Sequence, residues 1–253
     1  MRLPTSWLTN LSLDAPIVGT LWLALFGQVY RVPVPAILLW LLFSSIWLIY
    51  VVDRLVEWDY ALMRERHTFH QRYRRFFIPI VGSVILMDGF LVWQHRFLRE
   101  FYEGAAFVAA GAAFYLGFSY LTKDSQVKEW VKNILVSIIF SMGCTLPVWT
   151  MLIRESRMSL SFLLEFASLA LLVFCNLRFI EADEARSARF PKEVAIAAFL
   201  IIASTAIVCN RLTLVWLLSL LLMMSVRLSR LDRISRTAYD IALIIPAAIM
   251  LIL

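Results

Sequence analysis

The 253-residue chain is 61% apolar and only 17% charged, against about 45–50% apolar and about 25% charged in soluble domains, which excludes an ordinary water-soluble domain. Its mean hydropathy of +0.78 and its few glycines and prolines exclude disordered and collagen-like classes and leave a polytopic membrane protein. The net charge of +6 is read as membrane topology and not as affinity for nucleic acid.

In chain order, nine uncharged or nearly uncharged runs are candidate membrane helices: 15–31, 34–56, 76–95, 101–122, 130–153, 159–180, 193–210, 212–227 and 237–253. About 20 residues of helix cross roughly 30 Å of hydrocarbon. No polar stretch is long enough for a second unit, so residues 1–253 read as a single all-α transmembrane domain. No cleavable signal is expected, because no small-residue cleavage pattern follows Arg2 before the first run. With nine spans and an inner N-terminus, 18 basic residues fall on the inner side and six on the outer. That bias predicts a cytoplasmic N-terminus and a C-terminus on the outer side.

Acids beside or inside spans need water, a partner or a cation. The second run ends in Tyr50-Val-Val-Asp53-Arg54-Leu-Val-Glu57, where Asp53 and Glu57 share a helix face at i and i+4. The following loop, with Arg64, Arg66, His67, His70, Arg72, Arg74 and Arg75, is either a phosphate-binding segment or a basic cluster touching headgroups. His67 and His70 have metal-ligand spacing but no third histidine or cysteine near them. Asp88 stands twelve positions beyond Phe76, about 18 Å along a helix, as an acceptor-positioning group or a hydrogen-bonded structural aspartate. Glu165 reads as interfacial or paired with Arg157 or Arg154. The sixth run ends in Asn176-Leu-Arg178-Phe179-Ile-Glu181-Ala-Asp183-Glu184, with Asn176, Phe179 and Asp183 on one stripe. Cys144, Cys175 and Cys209 lie in apolar runs without metal or redox spacing.

Two acidic helix ends on one side suit a hard divalent cation such as Mg²⁺, held by carboxylates and substrate phosphates. The other reading pairs these acids with Arg54, Arg64, Arg178 and Arg186 at the interface. The two ends resemble the acidic motifs of the UbiA superfamily of intramembrane prenyltransferases, N-D-x-x-D-x-x-x-D and D-x-x-(Y/D)-x-x-x-D-x-x-x-D. Lys128, followed by Gly143 and Pro147, resembles the family's lysine entering helix five.

The resemblance implies nine helices around a central cavity and an Mg²⁺-dependent transfer of an isoprenyl group from a polyprenyl diphosphate to a lipid-soluble acceptor. By position, Asp53, Glu57 and Asp183 would be metal ligands, with Asp53, Asp183 and Lys128 catalytic. Lys128, Arg66, Arg72 and Asn176 would hold the diphosphate. Ile49, Tyr50, Asn176 and Ser187 replace acidic or amide positions of the two patterns, and Phe179 stands where tyrosine or aspartate is usual. The alternative is a non-catalytic relative that binds an isoprenoid lipid or pigment, or serves as a subunit of a membrane complex.

Overall fold

The computed structural model describes residues 10–56, 65–121, 126–184, 191–208, 210–229 and 236–253. Among these, every element is an α-helix: α1 (Asp14–Tyr30), α2 (Ala36–Val56), α3 (Glu65–Arg72), α4 (Arg74–His95), α5 (Arg99–Leu121), α6 (Gln126–Arg154), α7 (Leu160–Glu184), α8 (Lys192–Ile207), α9 (Arg211–Leu228) and α10 (Arg236–Ile252). Each of the nine apolar runs falls on one of these helices. The tenth, α3, lies within the basic loop that follows the second run and packs against α2 and α4.

Six helices are long and apolar enough to cross a membrane: α2, α4, α5, α6, α7 and α9. This length and apolarity describe a membrane-embedded protein. Helices α1 and α10 have 17 residues and α8 has 16, which at 1.5 Å per residue gives only about 24–26 Å of helix. Their ends have local causes. Helix α1 stops at Arg31, whose left-handed φ of 54° lets the Val32 amide donate to the Gly27 carbonyl at 2.9 Å. Helix α8 begins after Pro191 and gives way to extended backbone at Val208. At the start of α9, Asn210 Oδ1 accepts from the amides of Leu212 and Thr213 at 2.8 and 3.3 Å. The Thr213 hydroxyl returns the contact to the Asn210 amide, completing a capping box, a cap of the kind worth about 1 kcal/mol.

Helix α1 lies inside the bundle, packed against α2, α6, α9 and α10. Its Trp22, Leu23, Leu25 and Phe26 are inaccessible, and Trp22 stacks on Trp216 of α9 with ring centroids 4.8 Å apart. The main core runs through α1 and α6 to α10, whereas α2, α3 and α4 share a small cluster around Val51, Leu55 and Phe77. Aromatic side chains fill the contact between α1 and α9, where Phe26 also meets Trp216, with ring centroids 6.2 Å apart. Two apolar cavities stand at the periphery, about 590 Å³ between α2 and α4 and about 330 Å³ between α6, α7 and α8.

Candidate functional site

The second acidic stripe exists, and it faces the last two helices. Asn176 is buried and its Nδ2 donates to Asp240 Oδ1 of α10 at 3.1 Å. Phe179 stacks on Tyr239, with planes 11° apart and centroids 5.7 Å apart. Asp183 accepts from the Tyr239 hydroxyl through Oδ2 and pairs with Arg227 of α9 through Oδ1. The i, i+3, i+7 spacing is therefore a seam between helices. Asn176, expected as a diphosphate ligand, is buried and spends one amide hydrogen on the Asp240 carboxylate, while its Oδ1 has no hydrogen-bond partner.

Neighbouring charges form a second cluster. Arg178 pairs with Glu181 and lies 3.7 Å from Glu193 of α8, while Asn133 of α6 donates to Glu181 at 2.7 Å. Glu181 is thus tied to Asn133 of α6 and to Arg178 of its own helix. For Arg178, the interface-pairing reading holds.

The first acidic end is arranged differently. Asp53 is half-buried and makes no hydrogen bond or ion pair among the described residues. Arg54 next to it is buried, bonds to the Ser12 hydroxyl and lies 5.9 Å from the Tyr50 ring centroid. Gln71 of α3 donates to the carbonyls of Arg54 and Leu55 at 3.0 and 3.2 Å, covering otherwise unbonded carbonyls near the end of α2. His70 is buried against Ser12 and stacks on Phe77 at 4.5 Å, so it has a packing role in the α2–α4 junction. Arg72 is exposed, with its guanidinium 5.9 Å from the Tyr73 ring centroid. Glu57, Arg64 and Arg186 lie outside the described residues, and the side chains of Arg66, His67 and Lys128 are likewise not described, although Arg66 and Lys128 fall on α3 and α6.

Among the described residues, the two motifs do not present a shared set of open Mg²⁺ ligands in this arrangement. Both Asp183 oxygens already have donors, and Asn176 is engaged by Asp240. Asp53 alone among the described motif residues keeps its carboxylate open. Among the described residues no group of three or more His, Cys, Asp or Glu is placed to hold a metal ion.

The α2–α4 cavity lies beside the first acidic end. Trp40, Phe43 and Trp47 of α2 face Tyr73, Phe76 and Phe77 across it. Arg72 and Arg75, next in sequence to Tyr73 and Phe76, are exposed, and the Arg72 guanidinium lies 5.9 Å from the ring centroid of lining Tyr73, near one end of this apolar, aromatic-walled slot. At the other end, Trp40 Nε1 donates to Asp88 Oδ1 at 3.2 Å, the hydrogen-bonded role for Asp88. Glu165 departs from expectation: it is 1% exposed and accepts from Tyr30 and Asn210. Arg157 instead pairs with Glu155 at 2.6 Å and donates to the Tyr30 carbonyl at 3.0 Å.

Sequence reasoning missed Arg227, Tyr239 and Asp240. Asp240 carried a usable signal, an acid inside the last apolar run, the same feature that singled out Asp88. No family model matches the chain, and neither a curated protein nor a solved structure does.

Proposed function

We propose that this chain is an integral membrane protein that binds an isoprenoid diphosphate without transferring it, a non-catalytic relative of the intramembrane prenyltransferases. The observation that carries this reading is the engagement of Asp183 by Arg227 and Tyr239, which takes up the carboxylate that the second motif would offer a metal. The α2–α4 cavity offers the apolar tail about 590 Å³, within the usual range for ligand pockets. Arg72, with Arg66 and Lys128 on sequence grounds, supplies charge for the diphosphate. Geranylgeranyl diphosphate is expected to raise the melting temperature of the purified protein and to be recovered intact. An unchanged melting temperature at saturating ligand removes this reading.

A second reading, Mg²⁺-dependent prenyl transfer to a lipid-soluble acceptor, is favoured by one observation, the open carboxylate of Asp53. It requires Asp183 to exchange Arg227 and Tyr239 for the metal. Mg²⁺-dependent release of diphosphate that disappears in Asp53→Ala establishes it in place of the first.

Both readings use nine crossings, an inner N-terminus and an outer C-terminus, supported by the threefold excess of basic residues on one side. The short helices α1, α8 and α10 complete the count. Reporter fusions in the loops after α2 and after α9 are both expected on the cytoplasmic side; opposite sides for the two would remove the nine-crossing topology.

A further inference from the structure

Helices α2 and α4 run in opposite directions, since Val51 and Leu55 cluster with Phe77 while Trp40 bonds to Asp88. The cavity between them is therefore a slot with two distinct ends. Along α4 its lining begins at Tyr73 and ends at Val84, eleven residues or about 16 Å of helix rise. Near the Tyr73 end stands the exposed Arg72 guanidinium, 5.9 Å from the Tyr73 ring centroid, with exposed Arg75 next in sequence to lining Phe76. At the far end, one helical turn beyond Val84, the Trp40–Asp88 hydrogen bond crosses from α2 to α4. Trp40 is itself part of the lining, so its indole faces whatever fills the slot.

We infer that the Trp40–Asp88 bridge is a chain-length stop, which makes the slot selective for a single-chain isoprenoid phosphate whose tail ends against the Trp40 indole. This rests on the isoprenoid-binding reading above and adds a length limit to it. The phosphate sits at the Arg72 and Arg75 end, where charge complementarity selects an anion. The aromatic walls take the tail, and the polar atoms of the lining are few: the Tyr73 hydroxyl, the Trp40 and Trp47 indole nitrogens, bonded to Asp88 and to the Leu11 carbonyl, and the Ser44 hydroxyl, within bonding distance of the carbonyls of Trp40 and Leu41 at 2.9 and 3.1 Å. An aspartate this deep in an apolar helix is costly without a role; fixing the indole across the slot supplies one.

The test is equilibrium binding of dimethylallyl, geranyl, farnesyl and geranylgeranyl monophosphates to the full chain in uncharged detergent, with dioleoylphosphatidylglycerol as a two-chain competitor. Wild type is expected to show an optimum chain length. Trp40→Ala moves that optimum at least one isoprene unit longer, and Asp88→Leu moves it the same way by freeing the indole. Asp88→Asn, whose amide oxygen still accepts from the indole, leaves it in place. Val84→Trp shortens the slot from the opposite wall and moves the optimum shorter. Trp40 is 41% exposed, so its truncation leaves the main core untouched. Binding with the same length profile in wild type, Trp40→Ala and Val84→Trp overturns the stop and leaves isoprenoid binding standing. Competition by the two-chain lipid as strong as by the best monophosphate overturns single-chain selectivity. No binding of any monophosphate or of geranylgeranyl diphosphate removes both readings.

Discussion

Helices α4 and α7 have the same span hydropathy of 2.0, yet 6% of the α4 span is buried against 50% of the α7 span. Apolarity places both in a bilayer and does not decide whether their neighbours are lipid or protein. The difference lies in the polar residues they carry. Along α7, Glu165 bonds to α1 and to the cap of α9, Ser168 to Ser204 of α8 at 2.7 Å, Asn176 to α10, and Asp183 to α9 and α10. Helix α4 has Asp88, bonded to α2, and Ser83, whose hydroxyl donates back to the Pro79 carbonyl of its own helix at 2.9 Å. Where lipid is as apolar as leucine, hydrogen bonds and close packing choose the partner helix, and α7 is supplied with both.

This contrast is most exposed to failure at paired aromatic truncations. Phe162→Ala, at an inaccessible α7 position, should lower unfolding free energy in mixed micelles by about 3–5 kcal/mol. Phe90→Ala on α4, 55% exposed, should cost less than about 0.5 kcal/mol. Comparable losses at the two sites would mean that α4 is packed against protein after all. Arg227→Met strands Asp183, which is 18% exposed, and should cost about 3 kcal/mol. Adding Asp183→Leu should recover at least half of that, so an additive double mutant would contradict the pairing.

A smaller effect is expected at Ser168→Ala, which removes one interhelical hydrogen bond to Ser204, worth about 0.6 kcal/mol. At the bottom of the scale are the glycines. A methyl added at Gly82 or Gly89 of α4 meets nothing within 4 Å, so alanine there should stabilise slightly, by about 0.5 kcal/mol through helix propensity. Gly104→Ala on α5 brings a methyl against Leu146 of α6 and should be the less tolerated. Reversal of that order, read from the same unfolding titrations, would show that α4 has a close neighbour.

The helices were legible in the sequence because charge ends each apolar run, and all nine runs are helical. Helix α3 was not, since ERHTFHQR has no apolar stripe and its order comes from Gln71 and His70 docking on α2 and α4. The α7 stripe was legible as a stripe. Its direction was not: spacing shows which residues share a face, while the rotation of the helix in the bundle is set by Tyr239, Asp240 and Arg227, 56 or more residues away for the first two. Asp88 shows the converse case, where burial cost alone marked a residue whose partner was invisible until α2 and α4 were placed together.

The seam of α7 also has a bearing on biogenesis. Glu165 waits 45 residues for Asn210, and Asp183 waits 56 for Tyr239. During synthesis both acids enter or border the bilayer before the last residues that bond them have been made: Glu165 has Tyr30 of α1 but not yet Asn210, and Asp183 has neither Arg227 nor Tyr239. A nascent chain that has reached only α8 therefore carries one half-satisfied and one unpaired carboxylate at opposite ends of one span, a costly state in hydrocarbon. Arrival of α9 and α10 relieves both ends of α7, so the last two helices act as the closing step of membrane integration, and a chain interrupted before them is marked as unfinished by its own stranded charge.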